Sequence, residues 1–141
     1  LLVPKPVSHG ELADVCRELG VELLAYSPLA LGILAIPPGV HGTTATMLRS
    51  RLFQRLLPAS EALRAVMVEI AGSRSASMAQ VALNWCRAHG ACPIPGLRRP
   101  AQVIDVTQAL QWSLSETERQ ALDQASKKTV ARMPANPFQS A

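Results

Sequence analysis

Apolar residues recur at helical spacing in five segments of the chain, and each segment begins at a residue type that favours a helix start. Ser8 and Ser115 each open a Ser-x-x-Glu capping box, while proline suits a first helical turn. The predicted starts, in chain order, are Ser8, Pro58, Ser75 or Ser77, Pro100 and Ser115. The first helix is predicted to stop before Gly20, the third before Gly90 and the last near Lys128.

Each predicted helix carries one apolar stripe, which is the pattern of a helix that packs one face on a core. The side chains predicted to face inward are Leu12, Val15, Cys16, Leu19, Leu63, Met67, Ile70, Ala71, Met78, Val81, Ala82, Trp85, Cys86, Val103, Val106 and Leu110. The stretch from Leu31 to about Pro58 is predicted to be irregular, because it contains Pro37, Pro38, Gly39 and Gly42. Residues 129–141 are predicted to form an irregular tail.

Two short apolar runs predict β-strands, at Val21–Tyr26 and Ala91–Ile94. Each follows a helix end and a glycine and is closed by a proline, which is the αβ rhythm of a parallel sheet. Parallel strands are buried on both faces and need several neighbours. Two strands, or three if Leu1–Val3 ends another, are too few. The pattern therefore indicates that part of the sheet lies outside these 141 residues.

The composition is that of a globular domain, with 48% hydrophobic residues and a mean hydropathy of +0.15. The net charge of +4 is mild, and the arginines do not form the basic face of a nucleic-acid binder. No apolar run approaches the roughly 20 residues of a membrane helix. The three cysteines, Cys16, Cys86 and Cys92, are too few and too far apart for a zinc site, so we expect free, buried thiols and no metal.

Two motifs give the chain a family likeness. ELGVELLAYSPLALGIL (residues 18–34) resembles the seventh-strand motif of the aldo-keto reductases, and SMAQVALNWCRAHGACPIPGLRRPAQVIDVTQALQWSLSETERQALD (residues 77–123) resembles that family's closing stretch. The resemblance extends to the plastid-type branch. It implies the C-terminal portion of a (β/α)8 barrel, with strands seven and eight, their flanking helices and the final helix. Residues 1–141 would then form part of one barrel domain, in a protein of the cytoplasm or a plastid.

The first candidate site follows the first strand. By the resemblance, Tyr26 lies flat against the nicotinamide ring of NADP(H), where an aromatic face leaves one side of the ring open for hydride transfer. Ser27, Leu29 and Gly32 would line the pyrophosphate, which small groups and backbone N–H donors can approach closely. The alternatives are an amphipathic tyrosine that closes a strand end and an ordinary turn.

The second candidate site follows the second strand. By the resemblance, Gly96 ends that strand, Arg98 pairs with the 2′-phosphate of NADP, and Gln102 lies beside the adenosine. Asp105 keeps the carboxylate that many members place on a glutamate, whereas Val106 replaces an asparagine that contacts adenine. The alternative is a surface loop with two solvated arginines.

The family's catalytic Asp, Tyr, Lys and His come from the first half of the barrel, so no catalytic residue is predicted here. His9, His41 and His89 are read as surface residues. The resemblance therefore implies a fragment of an NADP(H)-dependent oxidoreductase that, when complete, reduces an aldehyde or ketone. A truncated, non-catalytic barrel-like protein that binds nucleotide or a partner is the alternative, and a basic DNA-binding module is the least favoured. Substrate and oligomeric state are left open.

Overall fold

The computed structural model describes residues 9–40 and 47–129, and the side chains of residues 13–40 and 50–129. Eight regular elements follow one another along this part of the chain. They are α1 (His9–Glu18), β1 (Leu23–Tyr26), α2 (Met47–Ala59), α3 (Glu61–Ser73), α4 (Met78–Ala88), β2 (Ala91–Ile94), α5 (Pro100–Gln108) and α6 (Glu116–Lys128). Short 3-10 helices lie at Ala30–Ala35 and Ala109–Gln111.

Local capping chemistry sets most of the helix boundaries. Ser77 is the N-cap of α4, because its hydroxyl accepts a hydrogen bond from the Gln80 backbone N–H at 3.1 Å. Ser115 and Glu118 form the predicted capping box of α6, and Pro100 opens α5 as predicted. Ser8 lies outside the described residues.

The two strands pair in parallel, with Leu23 opposite Ala91 and Tyr26 opposite Ile94. This pairing confirms the αβ rhythm in the sequence, although β1 begins two residues later than predicted. Gly20 adopts a φ of 65° between α1 and β1, a left-handed turn that glycine allows at no steric cost. Leu1–Val3, which could have ended a further strand, lies outside the described residues.

The irregular segment predicted from Leu31 to Pro58 is wrong in its second half. Residues 47–59 form α2, and Pro58 lies in the last turn of α2 instead of the first turn of α3. Phe53, Leu56 and Leu57 of α2 are buried. Burial of these side chains stabilises α2. The proline near its end removes only one backbone donor, so the helix tolerates it.

The hydrophobic core lies among α2, α3, α4 and α6. Its largest fully buried side chains include Trp85, Met67, Leu63 and Leu122. The inward faces predicted for α3 and α4 are confirmed, since every member of both is buried. Helix α6 ends at Lys128 as predicted, and residues 130–141 of the predicted tail lie outside the described residues.

The inward faces predicted for α1 and for the segment of α5 and the following 3-10 helix are wrong in part, because Cys16 and Val106 are half-buried and the other four described side chains are exposed. Val15 is 48% exposed, Leu19 72%, Val103 46% and Leu110 65%. These apolar stripes have the spacing of a buried face, but the sheet that they would cover has two strands in the described part of the chain. Leu12 has no described side chain.

The three cysteines are free, but they are not all buried as predicted. Cys86 is buried, Cys16 is half-buried and Cys92 on β2 is exposed, because one face of the short sheet is open. Burial raises the pKa of the Cys86 thiol to about 11. In the described part of the chain no group of three His, Cys, Asp or Glu side chains could hold a metal ion. Every helix described there is too short or too polar to cross a membrane.

Candidate functional site

The C-terminal ends of β1 and β2 lie side by side. Tyr26 is the last residue of β1 and pairs with Ile94, the last residue of β2. Because the strands are parallel, the turns that follow them leave from the same edge of the sheet. This edge is where open parallel sheets usually bind ligands, and seven of the eight predicted site residues lie on it or on the first turn of the next helix.

The turn after β1 has an unusual backbone. Ser27, Ala30 and Leu31 have φ values of 50°, 48° and 59°, and Gly32 has a φ of 96°. Non-glycine residues seldom adopt positive φ, and such strain persists only where the surroundings fix it. Here the following Ile33 and Leu34 are fully buried in the core. The turn is therefore anchored to the core by the residues that follow it.

Tyr26 and Ser27 are both exposed at the start of this turn. Tyr26 is 60% exposed at the strand end. Leu29 is half-buried, and its carbonyl accepts hydrogen bonds from the N–H groups of Gly32 at 2.9 Å and Leu34 at 3.2 Å. The structure thus brings Tyr26, Ser27, Leu29 and Gly32 together in one turn.

The turn after β2 is held by Gln102. Its side-chain oxygen accepts hydrogen bonds from the backbone N–H groups of Arg98 at 2.8 Å and Arg99 at 3.0 Å. The two guanidinium groups make no hydrogen bond or ion pair with any other described residue, and both are exposed beside the N-terminus of α5. Two free cations at a helix N-terminus favour an anionic ligand such as a phosphate.

An open groove lies on the outer side of this turn. Its lining is apolar apart from the two arginines and consists of Leu97, Arg98, Arg99, Pro100, Val103 and Ile104. Gly96 connects the groove to the end of β2. Apolar walls beside two cations suit a ligand with both a flat apolar part and a phosphate.

Asp105 does not lie with the other seven residues. Its carboxylate points to α4, where it accepts hydrogen bonds from Ser77 Oγ at 3.0 Å and Gln80 Nε2 at 2.7 Å. Gln80 is buried, and its oxygen also accepts a hydrogen bond from Trp112 Nε1 at 3.1 Å. Sequence reasoning missed this network. Gln80 lies on the side of α4 opposite the stripe of Val81 and Trp85, where a polar side chain is expected to face solvent, so only its burial in the structure reveals the network.

A second polar network joins α4 to α6 behind the core. Asp123 accepts hydrogen bonds from Trp85 Nε1 at 2.8 Å and Arg119 at 2.6 Å, and lies 2.8 Å from His89 Nε2. Burial acts to raise the pKa of Asp123, but the hydrogen bonds from Trp85 and His89 and the nearby charges outweigh it and lower the pKa. His89 is 41% exposed at its side chain, so this histidine lies at the surface as predicted. His9 has no described side chain and His41 lies outside the described residues.

Comparison with known proteins decides the family. The sequence model of the aldo/keto reductase family matches residues 2–127. This chain belongs to the aldo/keto reductase family. The resemblance drawn from the two motifs is thereby confirmed, and the family's barrel neighbours identify the parallel strand pair as part of a (β/α)8 fold.

Its relatives are much longer than the chain. It is 40% identical over 132 residues to the pyridoxal reductase, chloroplastic, of Arabidopsis thaliana, covering 92% of this chain and 35% of that protein. It is 32% identical over 114 residues to the aldo-keto reductase AMT2 of Alternaria alternata, covering 80% of this chain and 31% of that protein. The chain thus spans about a third of the length of these relatives.

A solved structure supports the fold. The glycerol dehydrogenase of Gluconobacter oxydans superposes with a TM-score of 0.70 at 24% identity, covering 94% of this chain and 42% of the other. At that identity the likeness concerns the fold alone.

Proposed function

We propose that this chain forms the last two βα units of an NADP(H)-dependent aldo-keto reductase, with β1 and β2 as strands seven and eight of the barrel. Family membership favours an oxidoreductase over the non-catalytic alternative. The open sheet edges, the exposed stripes of α1 and α5, and the share of relatives' length all support a portion of a larger barrel. The chloroplastic name of the Arabidopsis relative makes a plastid the compartment to test first.

The observation that carries the cofactor proposal is the pair of adjacent turns at one sheet edge. Tyr26 provides an exposed aromatic residue at one turn, and Arg98 provides a guanidinium without a described partner at the other. Ser27, Leu29, Gly32 and Gly96 would line the pyrophosphate between them, while Gln102 shapes the Arg98 turn. NADPH fits this edge because its flat ring and its 2′-phosphate match these two chemistries.

When bound, NADPH supplies the hydride that adds to the carbonyl carbon of an aldehyde or ketone, while the carbonyl oxygen takes a proton. In this scheme Tyr26 orients the ring, and the strained turn keeps Ser27 and the backbone donors in place without reorganisation. Arg98 neutralises the 2′-phosphate. The proton donor is expected from the other βα units, since no described residue at this edge combines a phenol with a neighbouring lysine and histidine.

Cofactor preference tests the proposal. In Arg98→Ala, NADPH binding should weaken about ten- to a hundredfold, because a charge-assisted hydrogen bond is lost, while NADH binding changes less than about twofold. Fluorescence titration of the chain with each nucleotide measures both. Arg51→Ala, which removes an exposed arginine on α2, is the matched control. An equal loss for NADPH and NADH would contradict a 2′-phosphate contact.

Turnover requires the rest of the barrel. We expect a chimera, in which this chain replaces the matching third of the Arabidopsis pyridoxal reductase, to oxidise NADPH with that enzyme's carbonyl substrate. Tyr26→Ala in the chimera should lower kcat at least about tenfold, because the ring loses its orienting face. A folded chimera that binds NADPH without turnover would support the binding-only alternative.

A further inference from the structure

We propose that Asp105, Ser77 and Gln80 are positioning residues that hold α5, and with it the Arg98 turn, in a fixed orientation against α4. The inference rests on the proposed function, because α5 carries the arginines at its N-terminus. It assigns Asp105 a role that differs from contact with the adenosine.

The three side chains form one closed set of hydrogen bonds, here called the Asp105 clasp. Both carboxylate oxygens are used, one by Gln80 Nε2 at 2.7 Å and the other by Ser77 Oγ at 3.0 Å. Ser77 also caps α4 by accepting from the Gln80 N–H. The clasp therefore joins the start of α4 to the middle of α5 through an ionised acceptor, which makes stronger hydrogen bonds than a neutral one.

The clasp holds the middle of α5, whereas Asn84 and Arg87 hold the C-terminal end of α5 by donating hydrogen bonds to the Ala109 carbonyl. None of the α5 residues from Pro100 to Gln108 is buried, and Ile104 is 61% exposed. Gln80, by contrast, is 5% exposed and has all its side-chain groups bonded, with Asp105 and Gln108 accepting from its amide and Trp112 donating to its oxygen. A fully satisfied buried amide is a firm anchor for a half-exposed helix.

Gln102 couples the orientation of α5 to the position of Arg98 and Arg99. This residue lies one turn before Asp105 on α5, and its side-chain oxygen holds the backbone N–H groups of Arg98 and Arg99. If α5 is released from α4, Gln102 and the turn that it holds move with it. The clasp thus fixes the position of the Arg98 guanidinium without touching the ligand.

The experiment compares Asp105→Ala and Ser77→Ala in the complete 141-residue chain. Each should weaken NADPH binding about three- to tenfold in fluorescence titration, and the double variant should be no weaker than the poorer single variant, because both break one clasp. Asp105→Asn should restore part of the affinity, since its amide oxygen still accepts one hydrogen bond. Hydrogen exchange of residues 98–106 in the ligand-free chain should speed up in both alanine variants.

Asp123→Ala is the matched control, because it removes a carboxylate that holds α6 instead of α5 to α4. It should lower stability while NADPH affinity stays within about twofold. An equal loss of affinity in Asp123→Ala would mean a general loss of stability and would overturn the inference. Unchanged hydrogen exchange at residues 98–106 would also overturn it. A loss of NADPH affinity in Asp105→Ala without one in Ser77→Ala would overturn it too, because it would indicate direct contact between Asp105 and NADPH. An inert Arg98→Ala, by contrast, refutes the proposed function and not the clasp, which the exchange data decide.

Discussion

The two sides of this molecule use the same sequence pattern with opposite results. On the side formed by α3, α4 and α6, apolar stripes meet one another and enclose Trp85, Met67 and Leu122. On the side formed by α1, the strand pair and α5, equally regular stripes leave Leu19 and Leu110 largely exposed. An apolar stripe predicts which face of a helix can be buried, but whether that face is buried depends on a packing partner. The exposed stripes of the second side are the faces that the rest of the proposed barrel would cover.

The largest contrast is expected from one substitution made on each side. Leu122→Ala should lower the free energy of unfolding by about 3 kcal/mol, because a fully buried leucine leaves a cavity. Leu110→Ala removes the same atoms from a residue that is 65% exposed. It should change the free energy of unfolding by less than about 0.5 kcal/mol. Denaturant unfolding of both variants measures the difference. Equal losses would mean that the exposed side is covered in solution.

The buried Arg64 of α3 gives the next largest effect. Its guanidinium donates hydrogen bonds of 2.8 Å to the carbonyls of Ile36, Pro37 and Leu57, which ties the loop before α2 and the end of α2 to α3. Its Nε is buried without a partner, and burial lowers the pKa of the guanidinium despite the nearby Glu61.

Arg64→Met keeps most of the stem but removes three hydrogen bonds from a charged donor, so we expect a loss of about 2–3 kcal/mol. The Val40 N–H and Ser60 Oγ still donate to the Pro37 and Leu57 carbonyls. Arg51→Met, on the exposed face of α2, should be nearly neutral. Thermal unfolding followed by circular dichroism compares the two. If Arg64→Met proves as stable as the native chain, the hydrogen bonds of Arg64 make no net contribution to stability.

Thiol reactivity reports the same contrast without a mutation. Cys86 is fully buried with a pKa of about 11, whereas Cys92 lies exposed on β2. Because the thiolate is the reactive species, Cys92 should react with a disulfide reagent at pH 8 at least about a hundredfold faster. Mass spectrometry of labelled peptides gives both rates. Protection of Cys92 would show that the open face is covered, for example by a second copy of the chain.

Local signals in the sequence were enough for much of the fold. Ser77, Pro100 and Ser115 mark helix starts through chemistry confined to one turn, and the limits of β2 were predicted without error. The side-by-side position of the two turns follows from the parallel pairing of their strands, and the binding roles of the residues in them stay a prediction.

Features that depend on partners could not be predicted in the same way. Helix α2 was missed because proline favours the first turn of a helix, whereas Pro58 lies in the last turn of α2. There the burial of Leu56 and Leu57 outweighs the lost backbone hydrogen bond. The exposure of α1 and α5 depends on what covers the two-stranded sheet of the described residues, and a helical stripe does not encode that partner. The role of Asp105 depends on Gln80, 25 residues away, which lies opposite the apolar stripe of α4 and is nonetheless buried.

The smallest expected effect sharpens the account of the packed side. Arg74, the C-cap of α3, donates two hydrogen bonds of 2.8 and 2.7 Å to Glu118 at the start of α6 and lies 5.6 Å from the Trp112 ring centre. The Arg74 hydrogen bond is the main cause that lowers the pKa of Glu118 to about 2, from an ordinary 4.5. A depressed carboxyl pKa adds stability above about pH 4.5 that is lost as the pH falls toward 2.

Glu118→Gln should therefore cost about 1 kcal/mol at pH 7, because the pair is partly solvated, and should cost nothing near pH 2. Unfolding measured from pH 7 to pH 2 gives the slope. Asp14→Asn on α1, whose pair with Arg17 is exposed on both partners, is the control and should leave the slope unchanged. If Glu118→Gln keeps the native slope between pH 4.5 and 2, the tie between α3 and α6 is not the origin of acid sensitivity. The two sides of the molecule would then differ in apolar packing alone.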